Sequence, residues 1–312
     1  DQDDEFIQTT GQEVDILFVV DNSGSMGDDQ ENLSANFGKL TAVAQQWQND
    51  FHIGVVTTDM EGMMSSWCCG NLVGPPKYVT NQNWEIFKDN VKVGDNGSAT
   101  EQGLYASQAA LSYPLAHDTS ITCDFDSDCE DPDSCVEGTC GGENRGFMRQ
   151  DATLHVVYVS DEQDDSPAEL NFYTDFLMSI KGYQNPNLLY AHAVVAGVEP
   201  EGTFTGCAGE AGTRYMEVAD QTNGIKVDIC EPDWAATLEI LGDAIFGLKT
   251  QFFMTRPADP PTVEVWVKGI KCADGWSFDQ ASNSVIFDQY GSCMPEPEEL
   301  VLVHYEVICY QY

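Results

Sequence analysis

Basic side chains are scarce in this chain: 13 Lys and Arg stand against 52 Asp and Glu, a formal charge of −39 over 312 residues. Phosphate backbones are gripped by Lys and Arg, so nucleic acid is excluded as an expected partner. Attraction to an anionic lipid surface is disfavoured for the same reason. Long apolar runs are also missing. No stretch reaches the ~18 consecutive apolar residues that a membrane helix needs, so no transmembrane segment is expected. The five histidines show no HExxH spacing, which removes one common metalloprotease pattern. Cysteines do not occur in C-x-x-C pairs, so a sulfur-rich zinc site is not expected. The amino terminus, Asp1-Gln2-Asp3-Asp4-Glu5, lacks the apolar core of a signal peptide and reads as the start of a mature form.

What is present is enough to fold. Hydrophobic residues make up 42% of the chain, and 312 residues suffice for one large domain and a small one. Eleven cysteines are many for a reduced cytosolic protein. Cys123, Cys129, Cys135 and Cys140 are evenly spaced among acids, which favours disulfides and an oxidising compartment. Cys207 is expected to pair with Cys230, and two of Cys272, Cys293 and Cys309 with each other. Cys68-Cys69 adds adjacent thiols, and the odd count leaves at least one thiol free or paired outside the chain. The expected location is secreted or cell-surface.

Periodicity divides the chain. Residues 1–12 read as a tail. Residues 13–250 alternate strands and helices, with strands expected at 14–21, 51–57, 77–80, 154–160, 188–196 and 225–229 and helices at 29–47, 101–112, 167–181, 214–221 and 234–248. That rhythm predicts an α/β fold with a doubly wound, mostly parallel sheet. Residues 113–148, rich in Asp, Gly and Cys, read as a surface insertion stapled by sulfur. Within it, Asp124-Phe125-Asp126-Ser127-Asp128 resembles a calcium loop, but Cys129 and Cys135 stand where an EF-hand needs glycine and glutamate. From residue 251 to 312 the pattern changes to period-two strands, predicting a small all-β domain.

The chemistry concentrates in Asp15-Ile16-Leu17-Phe18-Val19-Val20-Asp21-Asn22-Ser23-Gly24-Ser25-Met26. An apolar strand ends in an acid and two hydroxyls at alternate positions, just before a helix. Carboxylate and hydroxyl oxygens are hard donors, suited to Mg²⁺, Ca²⁺ or Mn²⁺. The carboxyl end of a buried strand is also where open α/β sheets bind ligands. The stretch Asp21-x-Ser23-x-Ser25 resembles the first segment of the metal-ion-dependent adhesion site of von Willebrand factor type A domains. Two further segments resemble the rest of that site. Gly97-Ser98-Ala99-Thr100-Glu101-Gln102-Gly103-Leu104 would supply Ser98, with Thr100 as substitute, and Leu154-His155-Val156-Val157-Tyr158-Val159-Ser160-Asp161 would supply Asp161. The phrase Ile229-Cys230-Glu231-Pro232-Asp233-Trp234 is similar to secreted bacterial members of the family, so an extracellular or outer-membrane setting follows from the resemblance.

The resemblance implies a divalent cation, Mg²⁺ or Ca²⁺ and alternatively Mn²⁺, held by Asp21, Ser23, Ser25, Ser98 or Thr100, and Asp161. Two carboxylates neutralise the ion, and its sixth position is left for water or for a Glu or Asp of a protein partner. Asp59, Glu162, Asp164 and Asp165 could hold a second ion, or face solvent as most acids do. Aspartate and serine after a strand also commonly cap a helix, which is the plainer account of the first loop. A hydrolase is the rival class, since Ser23-Gly24-Ser25-Met26-Gly27 resembles a nucleophile elbow. Its first glycine is missing, and no histidine has an evident partnering role, so no enzyme activity is expected. The remaining alternative is structural: a subunit of an extracellular filament or surface assembly that uses the same site for self-association.

Overall fold

The acidic amino terminus forms a strand, β1 (Gln2–Ile7), and the apolar run after it forms β2 (Glu13–Val20), buried throughout from Val14 to Val20. The computed structural model describes residues 1–9, 12–62, 67–130, 133–136, 138–182, 188–198, 209–280, 282–288 and 291–308. It divides into two units, residues 13–246 and residues 1–12 with 247–312.

In the larger unit β2 is followed by α1 (Gly27–Asn36), α2 (Gly38–Trp47), β3 (Asp50–Thr57), the edge strand β4 (Tyr78–Val79), α3 (Phe87–Asn90) and α4 (Gly103–Ala110). The insertion adds three short strands, β5 (Asp118–Thr122), β6 (Ser134–Val136) and β7 (Thr139–Gly141), paired in their own antiparallel sheet. Then come β8 (Thr153–Ser160), α5 (Leu170–Ile180), β9 (Leu189–Val195), α6 (Thr213–Gln221), β10 (Lys226–Asp228) and α7 (Trp234–Phe246).

The central sheet runs β10-β9-β8-β2-β3-β4, parallel throughout except for β4. This is the doubly wound α/β architecture that the alternation predicts. Because β2 is buried on both faces, its side chains divide by parity. Ile16, Phe18 and Val20 face Leu33, Phe37, Leu40, Leu238 and Leu241 from α1, α2 and α7 and the α1–α2 junction. Leu17 and Val19 face Leu104, Tyr173, Leu177 and Tyr215 of α4, α5 and α6. The winding order of the sheet reverses at β2, with β3 on one side and β8 on the other. The crevice beyond their carboxyl ends is therefore a topological switch point.

Two expectations need correction within this unit. The helix expected at 29–47 is two helices, parted at Phe37, which is buried and stacks on Phe87 at 3.7 Å between ring centroids. Asn36 and Gly38 flank the break, and both are weak helix formers. Cys68 and Cys69 are not adjacent thiols but are bonded to each other. The insertion is stapled by Cys123–Cys135 and Cys129–Cys140, with Cα separations of 5.8 and 5.4 Å. Cys230 is also in a disulfide, while its expected partner Cys207 lies outside the described residues. The sulfurs of Cys123, Cys129 and Cys140 lie within 4.8 Å of one another, but all three are oxidised and offer no thiolate to a metal.

The smaller unit contains β11 (Gln251–Phe253), β12 (Glu264–Val267), β13 (Ile270–Lys271), β14 (Trp276–Asp279), β15 (Ser284–Phe287) and β16 (Leu300–Tyr305). They form two antiparallel sheets, β1-β16-β12-β13 and β11-β15-β14, around a core that includes Val265, Val285, Val301, Val303 and Tyr305. Cys272 pairs with Cys293; Cys309 lies outside the described residues. Residues 1–12 are thus no tail, because β1 pairs with β16 from Gln2↔Tyr305 to Ile7↔Leu300. Asp4, one of the acids that disguise this strand, is buried. Its carboxylate accepts bonds from Thr255 N (2.7 Å), Thr255 Oγ1 (2.7 Å) and Tyr305 OH (2.8 Å).

Candidate metal centre

The parallel ladders hold β2 to its last residue: Asp21 N donates to Val159 O and Thr58 N donates to Val20 O. The chain then turns on its own side chains. Asp21 Oδ1 accepts from Ser23 N at 2.7 Å, and Asp21 Oδ2 accepts from Ser160 Oγ at 2.6 Å. Asp21 is fully buried and Ser23 nearly so, while Ser25 is exposed at the rim. The capping reading of this loop does not describe it, since α1 has no side-chain cap.

The third loop meets the first. Ser25 Oγ donates to Asp161 Oδ1 at 3.1 Å, and the hydroxyls of Ser23 and Ser25 are 3.2 Å apart. Neighbouring ligands on an octahedral ion with bonds of about 2.1–2.4 Å are themselves about 3.0–3.4 Å apart. Ser25 therefore already stands, from both Ser23 and Asp161, at the spacing a hard cation would need.

The second loop reaches the first through its backbone. Gly97 N donates to Asn22 O at 2.8 Å, and a Cβ on Gly97 would fall on the Asn22 side chain. Gly103 allows equally close packing of α4 on Tyr215. The hydroxyls do not follow. Ser98 Oγ donates to Glu61 Oε2 at 3.1 Å and accepts from Thr100 N at 3.1 Å. Among the described residues, no hydrogen bond joins Ser98 or Thr100 to Asp21, Ser23, Ser25 or Asp161. The side chain that does enter is Glu101, which sequence reasoning missed. It is 1% exposed, one oxygen accepts from Thr58 Oγ1, and its carboxyl faces that of Asp21. Its Oε1 is buried without a donor. An acid just before a helix looks in sequence like a solvated first-turn residue, so only its burial reveals it.

Electrostatics mark the cluster as short of positive charge. Burial, then the neighbouring Asp21, push the Glu101 carboxyl up to about 9. Burial raises Asp161, with Asp21 and Asp28 adding to it against the Ser25 bond. Asp29 is pushed up to about 7 by burial and by Asp28, Asp161 and Asp21. Among the described residues, no Lys or Arg pairs with Asp21, Glu101 or Asp161. Such a set gains by accepting a cation. A cleft of about 380 Å³ opens beside Ser25 and Asp161, lined by Asp28, Asp29, Glu231, Pro232 and Trp234 among others.

The other candidate acids serve differently. Asp164 is buried, but accepts from Leu104 N, Ser166 Oγ and Arg214 Nη1 at 3.0, 2.7 and 3.1 Å. It braces the start of α4 and does not face solvent. Asp59 Oδ1 accepts from Glu61 N and Gly62 N, leaving Oδ2 buried without a donor. Glu162 is half-buried, raised first by burial and then by Asp21 and Asp161. Asp165 is exposed, and its backbone N–H donates to Glu101 O.

The doubly wound sheet of the larger unit is the fold that a resemblance to von Willebrand factor type A domains implies. No family model matches the chain, and no curated protein matches it. Solved structures similar to it include a von Willebrand factor type A protein from Catenulispora acidiphila, at 14% identity over 97% of this chain and a TM-score of 0.44. Another is proximal thread matrix protein 1 from the mussel byssus, at 10% identity over 79% of this chain and a TM-score of 0.43. A third is an aerotolerance-related membrane protein from Bacteroides fragilis, at 13% identity over 75% of this chain, 98% of its own length and a TM-score of 0.35. The chain spans 60% of the first of these structures and 49% of the second.

Proposed function

We propose that the larger unit is a metal-dependent protein-binding module working outside the cell. A divalent cation, Mg²⁺ or Ca²⁺, is held by Asp21, Ser23, Ser25 and Asp161, and a partner's Glu or Asp completes its coordination from the cleft. The observation that carries this reading is the meeting of Ser25 and Asp161 at 3.1 Å, from loops 136 residues apart, at the switch point of the sheet. Disulfides in the insertion and in the β-unit fit an oxidising compartment. The acids lining the cleft oppose a purely anionic partner. They favour one whose carboxylate is flanked by Lys or Arg, so that metal and cleft walls are both matched.

The test is capture of surface proteins from the source cells on the immobilised chain, first with Ca²⁺ or Mg²⁺, then with chelator. Capture should require the ion and be lost in Asp21→Ala while circular dichroism remains unchanged. Binding that survives both chelator and Asp21→Ala would remove the metal from the mechanism.

A further inference from the structure

We propose that the Cys68–Cys69 disulfide is a thiol-exchange site, opened and reclosed by low-molecular-weight thiols while the rest of the chain stays folded. It stands apart from the cation site. Among the described residues, the staples Cys123–Cys135, Cys129–Cys140 and Cys272–Cys293 span 12, 11 and 21 residues. Such a cross-link stabilises a fold through the loop it closes in the unfolded chain. Cys68 and Cys69 are neighbours in sequence, so their bond closes no loop. It gives folding little, and folding in turn gives it little protection against reduction. The peptide link also holds the two Cα atoms 3.7 Å apart, short of the usual range of about 4.4–6.8 Å, and departures from that range make a disulfide more reducible. Cys69 has a φ of 63°, a left-handed conformation that residues with a side chain rarely adopt. Both cysteines are half-buried and not sealed in the core.

The open form already has its place. Cys69 Sγ lies 3.9 Å from Met60 O, an acceptor that a disulfide sulfur leaves unused and that the S–H of a reduced Cys69 takes up. The frame on either side does not depend on the bond. Thr57 Oγ1 donates to Trp67 O and Cys69 N donates to Asp59 O, both at 2.9 Å, and Asn144 Nδ2 donates to Gly70 O at 2.7 Å. The two thiols therefore stay side by side, ready to reclose. In the exchange an external thiolate RS⁻ attacks one cysteine sulfur. The bond between the cysteines breaks, and its electron pair leaves on the other sulfur, which takes a proton from solvent. A second RS⁻ attacks the R sulfur of the mixed disulfide, releasing RSSR and the remaining cysteine thiolate, which is protonated in turn. Two electrons and two protons thus pass from two RSH to the pair, and RSSR drives the reverse.

The native full chain is equilibrated with glutathione buffers from wholly oxidised to wholly reduced, its free thiols are trapped with N-ethylmaleimide, and the labels are located by mass spectrometry. Cys68 and Cys69 should gain their two labels together. They should do so at ratios that leave Cys123–Cys135, Cys129–Cys140 and Cys272–Cys293 closed, since structural disulfides resist the glutathione pool. A sample returned to oxidised glutathione before trapping should gain neither label. A pair that stays closed in reduced glutathione alone, opens no earlier than those three bonds, or fails to reclose overturns the proposal. In a second arm, Cys68→Ser combined with Cys69→Ser should melt within about 2 °C of wild type, as expected when a bond that closes no loop is removed. A fall of several degrees would mark the bond as a staple and overturn the proposal as well.

Discussion

A ligand that binds only the folded state raises stability by RT ln(1 + [L]/Kd). Above Kd, each tenfold rise in free Ca²⁺ therefore adds about 1.4 kcal/mol, whatever the value of Kd. The unit that carries the site comprises residues 13–246, a size at which 1 kcal/mol corresponds to about 2–4 °C in Tm. The melting transition of that unit should climb by about 3–6 °C per decade of Ca²⁺ once the site begins to fill. The structure adds a second expectation. Without metal, the carboxyl of Asp21 stands against those of Glu101 and Asp161 in a buried setting, so Asp21→Asn relieves repulsion while removing a ligand. The variant should melt no lower than wild type in chelator and should not respond to Ca²⁺. Differential scanning calorimetry from about 0.01 to about 10 mM free Ca²⁺, at constant ionic strength, measures both. A flat wild-type Tm across that range would refute the reasoning. An equal slope in Asp21→Asn would refute it too, by placing the ion elsewhere.

Two other perturbations probe the scaffold. Asp4→Ala leaves Thr255 N and the Tyr305 hydroxyl without their acceptor and should cost about 1–3 kcal/mol, read as a lower midpoint for the β-unit in denaturant. His155 and His192 lie buried side by side, with Nδ1 of one 2.9 Å from Nε2 of the other. Burial holds both below the ordinary histidine value, His192 at about 3. The unfolded chain binds protons near 6.5 that the folded one refuses, so the stability these residues permit is complete above that pH. It is lost as pH falls toward about 3, by up to about 1.4 kcal/mol per pH unit for each histidine. His192→Gln should flatten the dependence of stability on pH between about 4 and 6, measured by urea titration; an unchanged slope would show that the pair does not contribute.

The elements that proved legible are those whose pattern is local. An apolar strand ending in Asp21-Asn22-Ser23-Gly24-Ser25 announces both a buried β-strand and a hard-donor loop, because burial on two faces demands a continuous apolar run. The partner strand β8 carries the same signal: Leu154, Val156, Val157 and Val159 lie buried along it, and it ends beside Asp161. β1 was hidden because Gln2–Ile7 carries three acids. Thr255 and Tyr305, 251 and 301 residues away, join the neighbouring Gln2 in making burial of Asp4 tolerable. Asp164 looked like one more acid in an acidic loop until Arg214 and the start of α4 took up its oxygens.

The second loop shows the same limit most clearly. Its position beside Asn22 follows from the glycine at 97, but which oxygen it turns inward is settled by contacts that sequence spacing does not encode. Glu61 draws Ser98 outward and Thr58 draws Glu101 inward. By itself the sequence determined the alternating layers and two of the three converging loops, since periodicity and strand-end chemistry act over a few neighbours. Tertiary structure alone decided which carboxylates are buried together, because the cost of burying a charge depends on groups that meet only when the chain has folded.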